Sequence, residues 1–222
     1  MAAQGPVGRR AAAAKDKAYD FVKSRVLHGG YAGGALISEG EVAEALQMSR
    51  TPVREAFLRL ETEGLLRLFP QRGALVVPVS PDEVRSVLEA RQVLEQFAAE
   101  KVIRTGPATV EAVAVRLETH LKLQRDKGER GRFDEFLEED RLFHTELVKA
   151  AGNELFTGLY VSLRDRQVRM IAESTLRDPD RRGTILAEHA EIAAAVGASD
   201  LDRALTAVRT HLAGTRAALG LA

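Results

Sequence analysis

From Pro81 to the end of the chain, apolar residues recur at the three- and four-residue spacing of a helix. The interruptions are short and carry breaker residues: Thr105-Gly106-Pro107, Gly128 to Gly131, Gly152-Asn153, Asp178-Pro179 and Gly197 to Asp200. This pattern predicts six helices, near 81–104, 107–127, 133–151, 154–176, 180–196 and 201–219. Helices with apolar stripes and no strands beside them can bury those stripes only against one another. The expected architecture is an antiparallel six-helix bundle over residues 80–222. Composition agrees, since 8 Phe, 3 Tyr and no Trp are too few aromatics for a sheet-rich fold.

The first third has a different rhythm. Residues 1–14 (MAAQGPVGRRAAAA) have no amphipathic pattern and read as a disordered tail. Ala18, Tyr19, Val22 and Val26 mark a helix ended by Gly29-Gly30. A short helix follows from Ser38, whose side chain can form a capping box with Glu41. After the turn Gln47-Met48-Ser49, a third helix places Val53, Ala56, Phe57 and Leu60 on one face. Leu66 to Phe69 and Ala74 to Val79 then read as strands joined by Pro70-Gln71-Arg72-Gly73. Three helices and a hairpin within residues 15–79 give the winged helix-turn-helix layout. Ser80-Pro81-Asp82-Glu83, with a cap and a proline at the first helical position, marks the boundary. The fold class is therefore mainly α, a winged helix-turn-helix followed by a helical bundle.

Charge and composition narrow the function. Up to Pro78 there are 11 Lys/Arg against 8 Asp/Glu, which leaves 21 against 24 for the remainder, so the head is +3 and the bundle −3. A basic head suits an anionic partner. Without cysteine the chain has no disulfides, thiolate metal sites or cysteine nucleophiles. No apolar run approaches the ~20 residues that span a bilayer, and no signal-peptide core opens the chain. The expectation is a cytoplasmic protein with no membrane partner.

Ser49-Arg50-Thr51-Pro52-Val53-Arg54-Glu55-Ala56 carries the chemistry of the head. A recognition helix needs long donors at its N-terminal end, where it enters the major groove of double-stranded DNA. Arg50 and Arg54, one turn apart, can face away from the apolar stripe and grip guanine edges, while the Thr51 hydroxyl suits phosphate. Arg72 at the wing tip can reach a neighbouring groove or backbone. The plainer alternative pairs Arg54 with Glu55 or Glu61 as a solvated surface charge.

In the bundle, Asp140 and His144 lie one turn apart, ~40° around the helix axis, while His189 and His211 sit on the apolar sides of two other helices. Three imidazoles and a carboxylate converging from three helices would bind a divalent ion, Zn²⁺ or Ni²⁺ by ligand preference, with positions left open. The alternative is three core histidines satisfied by neighbouring carbonyls. His28 and His120 read as surface residues.

Two resemblances sharpen this. GGALISEGEVAEALQMSRTPVREAFLRLETEGLLRLFPQRGALV resembles the winged-helix head of GntR-family transcription regulators almost position by position. The resemblance implies DNA contacts from Arg50, Thr51, Arg54, Arg72 and Gly73. It also exposes departures: Gly40 stands where the family often has an arginine between two glutamates, and Pro52 replaces a frequent hydroxyl residue. The second half resembles the FCD ligand-binding domain of the FadR branch, in its shorter, VanR-like version. The matching pieces are Glu89 to Glu95, Asp140 to His144, Ala151-Gly152-Asn153, Glu188-His189 and His211-Leu212. This implies that Asp140, His144, His189 and His211 hold a divalent metal that helps anchor a small organic acid. It also makes Arg91 and Asn153 effector-binding candidates, with a salt bridge from Arg91 to Glu95 or Glu89 as the alternative.

The implied protein is a homodimer whose binding to a palindromic operator is set by an effector. Two other readings of the same residues are a metal-free effector receptor and a metal-dependent hydrolase fused to a DNA-binding head. The hydrolase lacks support: His189 is followed by Ala190 rather than Asp, and repeated Glu-x-x-His pairs are missing. The chain is expected not to be an enzyme.

Overall fold

The computed structural model describes residues 6–70, 72–177 and 180–221, and it divides into two compact units between Val79 and Ser80.

The first unit runs α1 (Pro6–Leu27), β1 (Leu36–Ile37), α2 (Glu39–Ala45), α3 (Arg50–Thr62), β2 (Leu66–Phe69) and β3 (Gly73–Val76). Its core is the expected stripe: Ala18, Val22, Val53, Ala56, Phe57 and Leu60 are fully buried. Each large apolar side chain buried there stabilises the unit by roughly 1.5–3 kcal/mol. Ser38 caps α2 through the full capping box, accepting from the Glu41 amide while Glu41 accepts from the Ser38 amide, both at 3.0 Å.

Two expectations are corrected here. Helix α1 begins at Pro6, so residues 6–14 are not a disordered tail, while residues 1–5 lie outside the described residues. Ala11 to Ala14 have the highest intrinsic helix propensity, and a periodicity argument is blind to a helix carried by propensity. The sheet also has three strands rather than two, in the order β1-β3-β2, with Leu36 opposite Leu75 and Ile37 opposite Ala74. A two-residue strand is too short for alternation to reveal. Its presence fixes Gly73, whose φ is +94° and whose absent Cβ would collide with the Ile37 carbonyl.

The second unit comprises α4 (Pro81–Thr105), α5 (Pro107–Glu129), α6 (Phe133–Ala150), α7 (Glu154–Ser162), α8 (Arg164–Arg177), α9 (Arg181–Gly197) and α10 (Leu201–Ala218). Among the described residues this is seven helices, not six, because the segment expected as one helix over 154–176 breaks at Leu163. No glycine or proline marks that break. Instead the Leu163 amide closes α7 onto the Tyr160 carbonyl at 3.1 Å, and the Tyr160 hydroxyl is tied at 2.7 Å to Glu95 on α4. The break therefore carries no local sequence signal. The helix count that suggested a shorter version of the domain does not hold. The final helix is capped by Asp200, which accepts from the Arg203 amide at 3.1 Å. The Asp178-Pro179 break lies outside the described residues.

Helix α5 packs along α6 and α9, and α10 along α4 and α9. The bundle is apolar at Leu94, Val113, Leu117, Phe136, Phe143, Leu147, Ile192 and Val208. Polar side chains interrupt it: Arg91, Glu95, Gln124, Asp140, His144, His189 and His211 are each at most 1% exposed. Among the described residues no helix is long and apolar enough to cross a membrane.

Candidate functional site

Buried polar groups are costly unless paired, so this interior cluster demands an account. His144 comes from α6, His189 from α9 and His211 from α10. One ligating nitrogen from each lies within 4.8 Å of the others. The Nε2 atoms of His144 and His189 are 3.0 Å apart. Phe143 stacks on the His189 ring at 4.4 Å with an interplanar angle of 7°, which fixes the ring's tilt. Asp140, one turn before His144, has Oδ1 3.5 Å from His189 Nε2. The four residues singled out in the sequence are therefore brought together.

What surrounds them decides which nitrogen carries the hydrogen. His189 Nδ1 lies 2.8 Å from Gln124 Oε1, and Gln124 Nε2 donates to Asp140 Oδ1 at 3.2 Å. With the Gln124 amide so oriented, its oxygen must accept, and His189 carries its proton on Nδ1. His211 Nδ1 is 2.8 Å from Glu188 Oε2, again a donor facing a carboxylate. His144 Nδ1 is 2.9 Å from Glu95 Oε2, off the hydrogen-bond direction. His189 and His211 thus carry their hydrogens on Nδ1 and leave Nε2 as the ligating atom, and His144 Nε2 lies 3.0 Å from that of His189. Outer partners that set the tautomer in this way are the usual support of metal-ligating histidines.

The unsatisfied atoms point the same way. His211 Nε2 and Asp140 Oδ2 are buried without a hydrogen-bond partner. Burial first, then the neighbouring imidazoles, hold the His189 pKa well below the usual histidine value, and His211 is lowered by burial and by His144 and Arg91. Both rings are therefore neutral and able to coordinate. Burial also raises the Asp140 pKa, against the pull of His144 and Arg91. Three imidazole nitrogens, with the Asp140 carboxylate beside them, form a ligand set that fits a divalent cation.

The supporting residues were not evident from the sequence. Gln124, Glu188 and Tyr160 lie on helices whose periodicity marks only that they face inward. Glu95 figured only as a possible partner of Arg91, and that alternative is what the structure contains: Arg91 Nε donates to Glu95 Oε1 at 2.8 Å. Burial alone would raise the Glu95 pKa, but Arg91 and His144 outweigh it and hold it well below the carboxylate range. Arg91 still has a buried Nη2 without a partner. Around His211, Arg181 grips both Glu188 oxygens at 2.8 Å and also donates to Thr215. Gly214 makes room for that fork, since a Cβ there would lie 2.5 Å from Glu188 Oε1.

Asn153 is the N-cap of α7, its Oδ1 accepting from the Leu155 and Phe156 amides. His120 is not a free surface residue but lies partly buried on α5, 2.8 Å from Glu139 of α6.

In the head, Arg50, Thr51 and Arg54 are exposed on the face of α3 opposite Val53, Ala56, Phe57 and Leu60. Arg54 pairs with neither Glu55 nor Glu61. Its Nε is 4.0 Å from Glu39 on α2, and its side chain is 73% exposed. Arg72 is exposed beside Gly73, where β3 starts. Gln71 lies outside the described residues.

Comparison with known proteins follows this division. Residues 14–76 match the family described as bacterial regulatory proteins, gntR family, and residues 86–214 match the FCD domain. The chain is 32% identical over 197 residues to the HTH-type transcriptional repressor RspR of Escherichia coli (strain K12), covering 87% of this chain and 83% of that one. It is 28% identical over 143 residues to the gluconate operon transcriptional repressor of Bacillus licheniformis, covering 64% and 57%. The fold is shared with a transcriptional regulator GntR from Rhodococcus sp. RHA1, with a TM-score of 0.72 at 22% identity over 93% of this chain and 97% of that one.

Proposed function

The chain belongs to the GntR family of DNA-binding transcription regulators and carries an FCD domain. From that premise we propose that a small organic acid, held at a divalent metal in the bundle, controls its operator binding. The observation that carries this reading is the convergence of three buried imidazoles, one ligating nitrogen of each within 4.8 Å of the others, beside the unpartnered Asp140 Oδ2. Asp140, His144, His189 and His211 would hold the ion. When bound, it would join three helices and offer open positions to carboxylate oxygens.

The chain's own residues prepare the rest. Gln124 and Glu188 hold the tautomers of His189 and His211, and Glu95 lies against His144. The unpartnered Nη2 of Arg91 is a charge-assisted donor for the effector's carboxylate. The gluconate operon repressor among its relatives supports a sugar acid or similar small acid as effector. Control of DNA binding requires that the effector bind two states of the protein with different affinity.

At the other end, Arg50 and Arg54 read base edges, while Thr51, Arg72 and the wing backbone at Gly73 meet phosphate. A half-site read by one such head is small, so the working form is a homodimer on a palindrome in the cytoplasm. It acts as a regulator and not as an enzyme.

Fluorescence anisotropy with duplex DNA from the region upstream of the chain's own gene tests the whole reading. Added Zn²⁺ or Ni²⁺ followed by a panel of small carboxylic acids should change operator affinity. A chelated protein should lose the response to the acids. An acid response that survives complete metal removal would sink the metal-anchored version.

A further inference from the structure

Gly40 occupies the second position of α2, in ordinary helical backbone that any residue adopts. Glycine is the least favourable non-proline residue in a helix, so its presence needs a reason other than conformation. The reason lies across the turn. A Cβ on Gly40 would sit 3.3 Å from Arg50 Nη2 and 3.7 Å from Arg50 Cζ, with Ser38 Oγ also at 3.7 Å. The Arg50 guanidinium, from the first residue of α3, therefore lies against the bare backbone of α2. Beside it, Arg54 Nε is 4.0 Å from Oε1 of Glu39, the residue before Gly40. The first turn of α2 thus supports both long donors of the neighbouring helix, one by a charge and one by an absence of side chain.

We propose that Gly40 is a specificity-determining residue of the DNA-binding head. By leaving that space open, it sets the course along which the Arg50 guanidinium reaches the base edges. A side chain larger than alanine at position 40 competes for the space and turns the guanidinium toward a different base or toward phosphate. Bidentate pairing of arginine with guanine depends on the angle of approach, so redirecting Arg50 changes which base is preferred. Gly40 is a positioning residue in this account, and the inference rests on the reading of Arg50 as a base contact.

The test is selection from a randomised duplex DNA library with the full-length protein, comparing wild type, Gly40→Ala, Gly40→Leu, Arg50→Ala and the double variant Gly40→Leu/Arg50→Ala. Alanine and leucine are better helix formers than glycine and add no donor, so neither threatens α2 nor supplies a new DNA contact. Thermal melts confirm folding of each variant. Arg50→Ala identifies the base positions that Arg50 reads. Gly40→Leu should alter preference at those same positions and weaken binding to the wild-type half-site about tenfold. Gly40→Ala, which meets only the mobile end of Arg50, should cost less than about threefold. The double variant should bind no more than about twofold more weakly than Arg50→Ala, because the glycine acts through the arginine. Unchanged preference in Gly40→Leu, or an equal further loss in the Arg50→Ala background, overturns the inference while leaving Arg50 as a base contact. Unchanged preference in Arg50→Ala overturns both.

Discussion

His144 and His189 meet through their Nε2 atoms at 3.0 Å in the middle of the bundle. A divalent cation would take up both nitrogens in place of their contact with each other. That relationship orders the expectations for the C-terminal unit.

Replacing His189 or His211 with alanine should abolish stoichiometric metal while sparing DNA binding by the head. A ligand that binds only the folded state stabilises it by mass action, about 2.7 kcal/mol at a hundredfold excess over Kd. Chelation should therefore lower the melting temperature of the wild type and leave that of either variant unmoved. Elemental analysis of protein purified without an affinity tag gives the stoichiometry. Below about 0.1 equivalent, with no uptake of added Zn²⁺ or Ni²⁺, the histidines are core residues only.

Gly214→Ala should weaken metal binding from a distance. Its Cβ would lie 2.5 Å from Glu188 Oε1 and 2.9 Å from Arg181 Nη1, displacing the fork that holds the His211 tautomer. Loss of such an outer partner typically costs 10–100-fold in metal affinity. Competition titration against a chromophoric chelator reads this directly, and wild-type affinity in the variant would remove Glu188 from the site.

Arg54→Ala should weaken specific operator binding by about 1–3 kcal/mol and relax base preference, with the fold intact. Arg72→Ala should weaken binding evenly across sequences and reduce the salt slope by about 1. Affinities measured over a salt series separate the two. Wild-type binding by Arg54→Ala would place recognition elsewhere than on α3.

A pH effect is expected in the head. Glu63 accepts from the Tyr19 hydroxyl at 2.7 and 2.8 Å and from Lys23 at 2.9 Å, tying the end of α3 to α1. Burial would raise its pKa, but Lys23, Tyr19 and Arg59 prevail and lower it. A depressed carboxylate stabilises the fold above its unfolded pKa of about 4.3, and that stability is lost as pH falls through the folded value. Glu63→Gln should cost about 0.5–1 kcal/mol at pH 7, modest because the group is partly exposed, and the deficit should shrink below pH ~4. Urea unfolding of both proteins from pH 7 to pH 3 measures it; a deficit constant with pH would exclude the charge as its source.

Much of the architecture was legible. The capping box of Ser38 and Glu41, the buried stripe Val53, Ala56, Phe57 and Leu60, and the boundary at Ser80 are local signals carried by neighbouring residues. Strand β1 was not legible, because its two residues are defined by pairing with β3. Nor was the break at Leu163, which no glycine or proline marks.

The sequence by itself determined where the helices lie, which faces are apolar, and that Asp140 and His144 share a face, because these follow from periodicity within one element. Only the tertiary structure decided that α6, α9 and α10 bring His144, His189 and His211 within 4.8 Å, and that Gln124, Glu95 and Glu188 lie against their outer nitrogens. It also decided that Asn153 caps a helix and that Arg50 lies over Gly40. Those contacts join residues far apart in sequence or on different elements. Their energies depend on distance and burial, and neither exists until the helices pack.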